Sequence, residues 1–570
     1  MTRDSRWRYP NDGEPSVEFP IYSRGNVGEA FPDVISPMSG SLMLEASARS
    51  QIRFFLAAGA ISKPQVRDPL NALFVQFGGY LYTNVSMARI AAVRAPGLSL
   101  EDLDAQYGGV DVLPPYVGRR GDRSLAATLR LGRYASRALR QGDVARAGVA
   151  QREVDDWIAS LEPVETADDA ELIARARQAS AWFERLNHEM MTVTLHAGST
   201  RVMVERFAAA ADEPDAANAI TSGVGDVASA GPAIALWGLG RQARNSEEIQ
   251  RHFDGGGEDL VGRLRSDPAC SDFVAAFNDF IDRFGFHGAN ELELSAPKWG
   301  TDPHLALRVI ERLRHAPDER NPCAAGEILA ATRAAATERV AAKLPRLRRR
   351  LFNVAVRNAG KYAREREATK AALVRALFQS HRALNELAGR HGIGREDIYL
   401  LVEAELEAAI RNPDGYAATI AERRALRDEL QQRQPPFWFE GGLPDPSTWP
   451  PRNLITPDAS LGLATTHQGL GVSTGAASGR ARVILDPNEP IDLDPDEILI
   501  APQTDPAWTP LFLGAAGVVV EYGAVMSHAA IVARELGIPA VVGIDGATKK
   551  IPTGCTVTID GTTGLVTVGS

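Results

Sequence analysis

The stretch GVVVEYGAVMSHAAIVARELGIPAVVGI (residues 517–544) decides the fold of the C-terminal part of the chain. Its two ends, GVVVE and AVVGI, are short β-branched runs that predict buried strands. Between them, Ser527 is a preferred helix N-cap residue, and Gly537, followed by a proline two residues later, is a helix stop signal. The pattern therefore predicts a strand, a short helix over 528–536 and a second strand.

His528 is the residue of this stretch that points to chemistry. It falls in the first turn of the predicted helix, where backbone N–H groups lack intrahelical partners and, with the helix dipole, favour an anion. Imidazole is also a competent nucleophile near neutral pH. A lone histidine here is more often a capping or packing residue. The assignment of His528 as a nucleophile therefore depends on its neighbours, Gly523, Ser527 and Arg534, which follow a recognisable order.

The residues around this stretch predict a compact α/β domain. Further β-branched runs, separated by turn residues, are ARVIL (481–485), EILIAP (497–502) and CTVTI (555–559). Such runs are typical of buried strands, and an Asp-Gly turn follows the last of them. We expect an independently folding domain over 459–570, which is an ordinary domain size.

The composition changes before this domain. Residues 432–458 are dense in Pro and Gly, which predicts a semi-rigid linker. Residues 1–431 are rich in Ala, Leu, Arg and Glu and have few strand signals. Apolar residues recur at helical spacing over 166–195, and long helices are also expected over 327–388 and 396–432. The fold class is therefore predicted as multidomain, with a mainly α-helical domain followed by a compact α/β domain.

Length and charge exclude some classes of protein. The 570 residues are 44% hydrophobic and 24% charged, with a formal net charge of −10, which argues against nucleic acid as a partner. No apolar run approaches the roughly 20 residues that a membrane span needs, and the N-terminus does not have the pattern of a secretory signal. Cys270, Cys323 and Cys555 are far apart and form no C-x-x-C pair. We therefore expect neither disulfides nor a metal site, and a cytoplasmic location.

Four segments within 465–570 follow one another in the order of a known domain. They are GVSTGAASGRARVI, ILIAPQTDPAWTPLF, GAVMSHAAIVARELGIPAVVG and VTIDGTTGLVTV. Together they resemble the swivelling phosphohistidine domain of the phosphoenolpyruvate-utilising enzymes. The resemblance implies that His528 is the phosphorylated residue, supported by Gly523, Ser527 and Arg534.

Four further motifs lie in the helical part of the chain. They are YSRGNVGEAFPDVISPMSGS (22–41), FGGYLYTNVS (77–86), DRFGFHGANELELSAPKWGTDP (282–303) and GREDIYLLVEAEL (394–406). In this order they resemble the substrate-binding domain of the rifampicin phosphotransferases and their phosphoenolpyruvate-synthase-like relatives. The resemblance implies that residues 1–431 bind the phosphoryl acceptor.

These motifs contain the other candidate site residues. Arg24 is predicted to meet phosphate with its bidentate fork, or to form a structural ion pair with Glu29; both interpretations stay open. His287 is a candidate general base that Glu291 would orient, and the alternative is a hydrogen-bonded structural histidine. Lys298 is a candidate to neutralise a transferring phosphoryl group, with a surface lysine as the alternative.

The nucleotide site of the larger relatives has no counterpart in this sequence. We find no Walker-type phosphate loop, the first 430 residues lack the strand content of an ATP-grasp domain, and the chain ends before any pyruvate-binding barrel. We therefore expect ATP and Mg²⁺ to bind to a separate ATP-grasp subunit, with no cofactor on this chain. The resemblance implies a dikinase-type phosphotransferase in which the β-phosphoryl group of ATP passes through His528.

The acceptor is predicted by analogy alone. Phenylphosphate and alkylphenol phosphate synthases divide the histidine and nucleotide parts between subunits in the same way, which favours a small aromatic hydroxyl compound. Phosphorylation of an antibiotic-like polyketide hydroxyl is the second hypothesis. A non-catalytic binding or regulatory protein is the third. Neither nucleic acid nor a membrane is an expected partner.

Overall fold

The structure is a computed structural model. It describes residues 5–25, 27–66, 72–95, 99–108, 113–119, 121–139, 142–225, 227–256, 259–452, 465–485, 493–494, 496–504, 508–523, 527–544 and 546–569. The chain divides into two compact units. Unit 1 contains Met1–Thr200, Leu292–Ser295 and Lys361–Ile455. Unit 2 contains Arg201–Glu291, Ala296–Gly360 and Thr456–Ser570.

Helices dominate the first three quarters of the chain, and strands are concentrated in the last quarter. The helices are α1 (Val27–Ala30), α2 (Pro37–Ser39), α3 (Glu45–Ala58), α4 (Val85–Arg94), α5 (Leu100–Gly108), α6 (Leu125–Ala135), α7 (Gly142–Ala159), α8 (Asp169–Ala210), α9 (Ala216–Thr221), α10 (Gly231–Asn245), α11 (Glu247–Asp254), α12 (Leu260–Ser266), α13 (Ser271–Phe284), α14 (Pro303–His315), α15 (Pro322–Lys343), α16 (Arg346–Arg390), α17 (Leu406–Arg411), α18 (Ala417–Gln431), α19 (Thr509–Gly514), α20 (His528–Leu536) and α21 (Ala547–Lys550). The strands are β1 (Ile21–Ser23), β2 (Phe74–Phe77), β3 (Tyr80–Asn84), β4 (Trp438–Glu440), β5 (Thr465–Gln468), β6 (Leu470–Ser473), β7 (Ala476–Val483), β8 (Glu497–Ala501), β9 (Gly517–Val520), β10 (Ala540–Val542), β11 (Thr556–Asp560) and β12 (Leu565–Val568).

The long helices follow the predicted pattern, with two interruptions. The helix predicted over 166–195 corresponds to α8, which begins at Asp169. The one predicted over 396–432 begins only at Leu406 and is divided into α17 and α18, with Pro413 between them. The one predicted over 327–388 is divided, because α15 ends at Lys343 and α16 begins at Arg346. Pro345 stands between them, and a proline lacks the N–H group that would continue a helix. Among the described residues, no helix is both long and apolar enough to cross a membrane.

Unit 1 contains a four-stranded antiparallel sheet that the sequence did not predict. The strand order is β2-β3-β1-β4, so the first and last strands in sequence lie side by side, with Tyr22 opposite Phe439. The two rings stack with their centroids 5.3 Å apart, and Phe77 contacts Tyr22 edge-on at 4.8 Å. Such aromatic contacts stabilise a sheet by more than the burial of apolar area alone. Residues 432–452 of the predicted linker therefore contribute a strand here, and 453–458 lie outside the described residues.

The C-terminal part of unit 2 forms an eight-stranded mixed sheet, which confirms the predicted α/β fold. Its order is β5-β12-β11-β7-β8-β9-β10-β6, with β7, β8, β9 and β10 parallel to one another. Leu499 and Val518 point to a core shared with helices α10, α13 and α14, whereas Ile498, Ile500 and Val519 point to the opposite core. Both faces of the central strands are buried, which explains why their sequences are continuous apolar runs.

Candidate functional site

Helix α20 places His528 at its first position, as predicted. Ser527 is the N-cap residue, with an extended backbone, and its side chain accepts a hydrogen bond from the N–H of Ala530 at 3.3 Å. Gly537 ends the helix in the left-handed conformation, with φ of 69°, and its N–H donates to the carbonyl of Ala533. Local cap chemistry therefore fixes both ends of the helix and the position of the imidazole.

The imidazole of His528 is buried in this arrangement. Its Nε2 lies 3.4 Å from the hydroxyl of Thr509, the first residue of α19. The exposed fraction is 8% for His528 and 1% for Thr509. Helix α19 therefore covers part of the ring.

The residues predicted to support His528 have local structural roles. Arg534 is buried, and its Nε donates to the carbonyl of Ala530 in the same helix at 2.7 Å. Gly523 leaves no room for a side chain, since a Cβ there would lie 2.9 Å from the Cβ of Val542 and 3.3 Å from the hydroxyl of Ser527. A larger residue at position 523 would displace the N-cap of the histidine helix.

Hydrogen bonds connect the C-terminal end of α20 to a glycine-containing loop of unit 2. The Glu535 carboxylate accepts hydrogen bonds from the N–H groups of Val224 at 3.2 Å and Gly225 at 3.3 Å. Burial raises the pKa of Glu535, while these backbone hydrogen bonds act in the opposite direction. The amides of this loop thus bind a carboxylate of the chain itself.

A narrow loop between α13 and α14 holds His287. The N–H of Trp299 donates to the carbonyl of His287 at 2.9 Å, and the N–H of Gly300 donates to the carbonyl of Gly285 at 2.7 Å. Gly288 lies so close to the opposite side of the loop that a Cβ would approach the Pro297 carbonyl oxygen to 2.5 Å. The backbone of this loop therefore limits where the imidazole can point.

His287, Glu291 and Lys298 come together within this loop. Nδ1 of His287 lies 2.8 Å from Oε2 of Glu291, and the two residues are 4% and 6% exposed. A proton held at Nδ1 by this carboxylate leaves Nε2 as the acceptor, which is the form that a general base needs. Lys298 is buried, and its ammonium group donates to the carbonyl of Asn290 at 3.2 Å. The alternative that Lys298 is a surface lysine is therefore wrong.

Arg24 lies in unit 1, where its described partners are structural. Its Nη2 donates to the carbonyls of Phe31 at 3.0 Å and Pro32 at 2.8 Å, and its guanidinium lies over the ring of Tyr80. The side chain of Glu29 is outside the described residues. Both the phosphate contact and the ion pair with Glu29 therefore stay predictions.

A buried carboxylate that the sequence did not single out joins two of the shared motifs in unit 1. Glu293 accepts hydrogen bonds from the hydroxyls of Ser36 at 2.6 Å, Ser39 at 2.8 Å and Ser295 at 2.8 Å. The next residue along, Leu294, offers its carbonyl to Nδ1 of His381 at 2.7 Å. The available signal was the Ser-x-x-Ser spacing in the first motif, but only the fold shows which acid it meets.

Comparison with known proteins identifies two segments of the chain. Residues 185–367 match the model of the rifampicin phosphotransferase fourth domain, and residues 493–564 match the mobile domain of the PEP-utilising enzymes. His287 and its loop lie in the first segment, and His528 lies in the second. Both predicted histidines are thus inside segments that resemble characterised domains.

Three relatives extend the likeness to nearly the whole chain. Prodigiosin synthesizing transferase PigC of Serratia marcescens is 32% identical over 58% of this chain and 37% of its own length. A rifampicin phosphotransferase of Streptomyces sp is 30% identical over 62% of this chain and 41% of its own. An uncharacterized protein of Mycobacterium tuberculosis is 27% identical over 96% and 62%. The chain thus spans less than two thirds of each of these relatives.

Proposed function

We propose that this chain is a phosphotransferase of the PEP-utilising enzyme family, to whose mobile domain residues 493–564 are similar, and that it carries a phosphoryl group on His528. The observation that carries the proposal is the position of this imidazole at the first residue of α20, behind the Ser527 cap. A phosphoryl group on the ring would lie at the positive end of the helix, beside backbone N–H groups that have no intrahelical partners. Covalent catalysis then divides one difficult transfer into two easier ones.

The first step charges the histidine. ATP and Mg²⁺ bind to a separate ATP-grasp subunit, and the β-phosphoryl group moves to the imidazole of His528. With one water molecule consumed, the products are phosphohistidine, AMP and inorganic phosphate. The domain over 459–570 then moves from the nucleotide site to the acceptor site, because one imidazole cannot be within bonding distance of two separate pockets at once.

The second step transfers the phosphoryl group from His528 to the acceptor. An acceptor hydroxyl attacks the phosphorus, the P–N bond to His528 breaks and a P–O bond forms. His287 receives the hydroxyl proton at Nε2, because the Glu291 carboxylate, 2.8 Å from Nδ1, keeps the ring in that tautomer. The Lys298 ammonium offsets charge on the transferring group.

A phenol is the proposed acceptor, and a polyketide hydroxyl is the second candidate. The phenol follows from the division of labour between subunits in phenylphosphate synthases. The second candidate has support from the relatives named rifampicin phosphotransferase, one of which is similar over 62% of this chain. The two acceptors differ greatly in size, so a direct comparison separates them.

The test is a single-turnover discharge experiment. The chain is charged with labelled ATP and an ATP-grasp partner protein, separated from nucleotide, and mixed with simple phenols or with rifampicin. We expect the label to leave the protein and appear as an aryl phosphate with the phenols. Discharge by rifampicin alone would select the second candidate. A chain that never acquires label from a partner active in other respects would support a binding or regulatory role instead.

A further inference from the structure

Outside the proposed transfer site, unit 2 contains a cluster of three different metal-ligating side chains. Nε2 of His252, a carboxylate oxygen of Asp267 and the thiol of Cys270 all lie within 4.8 Å of one another. His252 Nε2 lies 2.9 Å from Asp267 Oδ2. The three residues come from helix α11 and from the turn that leads into α13, so two elements meet at the cluster.

Local structure positions each of the three groups. Asp267 caps the short turn Pro268–Cys270, and its Oδ1 accepts the N–H of Ala269 at 2.9 Å, which leaves Oδ2 directed at the imidazole. The N–H of Cys270 donates to the carbonyl of Asp267 at 3.0 Å, so the thiol and the carboxylate belong to one tight turn. Arg263 anchors the end of α11 through the carbonyl of His252 at 3.0 Å. The donor groups are thus held without help from a ligand.

The surroundings are those of a half-buried ion site. Cys270 is fully buried against the core that contains Phe253 and Phe273. The side chains of His252 and Asp267 are 21% and 32% exposed, so the opposite side is open to water. One wall is therefore apolar and supplies the sulfur of Cys270, and the other supplies nitrogen and oxygen and leaves a position for a solvent ligand.

The chemistry of this set selects the ion. Ligand bonds of about 2.0–2.3 Å in a tetrahedral site place donor atoms roughly 3–4 Å apart. The present separations, from 2.9 Å to less than 4.8 Å, reach that range by small side-chain rotations. A sulfur donor disfavours Mg²⁺ and Ca²⁺, and the mixture of sulfur, nitrogen and oxygen suits Zn²⁺.

We propose that His252, Asp267 and Cys270 bind one zinc ion, with water as the fourth ligand. The ion would fasten α11 to the turn before α13 and stabilise the helical part of unit 2. The sequence did not predict it, because the three ligands are of three residue types and no C-x-x-C pair is present. A histidine–aspartate hydrogen bond beside an inert buried thiol is the competing explanation.

Cobalt is the probe that separates these explanations. The reduced full chain, stripped with a chelator, is titrated with Co²⁺ while thiolate-to-cobalt absorption is followed in the near ultraviolet. We expect one equivalent of Co²⁺ to produce this absorption and Zn²⁺ to remove it. Mutation of a residue that only orients a metal ligand typically lowers metal affinity by about 10–100-fold. Mutation of a ligand itself should lower the affinity at least as much. His252→Ala and Asp267→Asn should therefore weaken Co²⁺ binding by about 100-fold or more.

The matched control uses the exposed thiol of the same chain. Cys323→Ser should keep the thiolate absorption, whereas Cys270→Ser should lose it with unchanged far-ultraviolet circular dichroism. The proposal is overturned if Co²⁺ binds without thiolate absorption, if no Co²⁺ binds, or if the absorption follows Cys323. If Cys270→Ser does not fold, the more exposed His252 decides the question, since unaltered binding by His252→Ala contradicts the site. None of these results depends on phosphoryl transfer.

Discussion

The loop around His287 and the helix that begins with His528 hold their imidazoles in different ways. His287 faces a carboxylate at 2.8 Å inside a loop closed by backbone hydrogen bonds. His528 stands at the start of a capped helix, where the side-chain contact is to the Thr509 hydroxyl at a longer 3.4 Å. A carboxylate fixes a tautomer and suits proton transfer, whereas a helix start stabilises an anion and suits a phosphoryl group. The difference supports the proposed roles, with His287 as the base and His528 as the phosphoryl carrier.

The largest expected effect comes from removing the nucleophile. His528→Ala should abolish labelling from ATP and reduce turnover by at least about 10⁴-fold, because no other group takes over a covalent step. The measurement is acid-labile label on the protein together with product formation. His315→Ala, which changes an imidazole whose side chain is 65% exposed, is the control and should behave as wild type. If His528→Ala is labelled as strongly as wild type, His528 does not carry the phosphoryl group, and the proposed difference between the two histidines is wrong.

Removing the proposed base should separate the two steps. His287→Ala should take up label at the wild-type rate but discharge it to acceptor about 10²–10⁴-fold more slowly, the usual contribution of a general base. Rapid-quench measurement of both half-reactions checks this. Discharge at the normal rate would show that His287 has only a structural role. Slower charging would show that its loop affects both phosphorylation of His528 and transfer to the acceptor.

A smaller change should come from the carboxylate behind the base. Glu291→Gln keeps the size of the side chain but removes the charge that orients His287, so we expect discharge to slow by about 10–100-fold. The separate rates of charging and discharge are the informative readout, because only discharge should slow. A purely structural role would lower the amount of folded protein and slow both steps.

The smallest expected effect is on stability, and it comes from Glu535 near the C-terminal end of the His528 helix. Burial raises the pKa of Glu535 above its ordinary value of 4.5, against the hydrogen bonds from Val224 and Gly225 and the charges of Arg534 and Arg333. A carboxyl that binds its proton more tightly when folded adds stability below the unfolded pKa and loses it as the pH rises through the folded pKa.

The unfolding free energy of wild type relative to Glu535→Gln should therefore fall as the pH rises across that window. Denaturant titrations at several pH values measure this difference. Glu338→Gln, which makes the same substitution at an exposed carboxylate of α15, is a suitable control. A difference that increases with pH would show that the carboxylate is favoured in its charged form and that the two amides dominate over burial.

The separation of contacting residues along the chain explains what the sequence could predict. The helix over 528–536 was predicted to the residue, because its cap, its terminating glycine and its apolar face are adjacent in sequence. The His287–Glu291 pair was also accessible, since it spans only four residues. The sheet that pairs β1 with β4 was not, because its partners lie more than 400 residues apart and each strand has only three residues. The Ser36–Glu293 contact was missed for the same reason.

The most direct test of the account is to locate the phosphoryl group itself. The chain is incubated with the ATP-grasp partner and ATP without acceptor, digested under alkaline conditions that preserve phosphohistidine, and analysed by tandem mass spectrometry. The account predicts a single phosphoryl group on the peptide that contains His528, and its disappearance when acceptor is added. Formation of phosphorylated acceptor with the group on another residue, or on none, would contradict it.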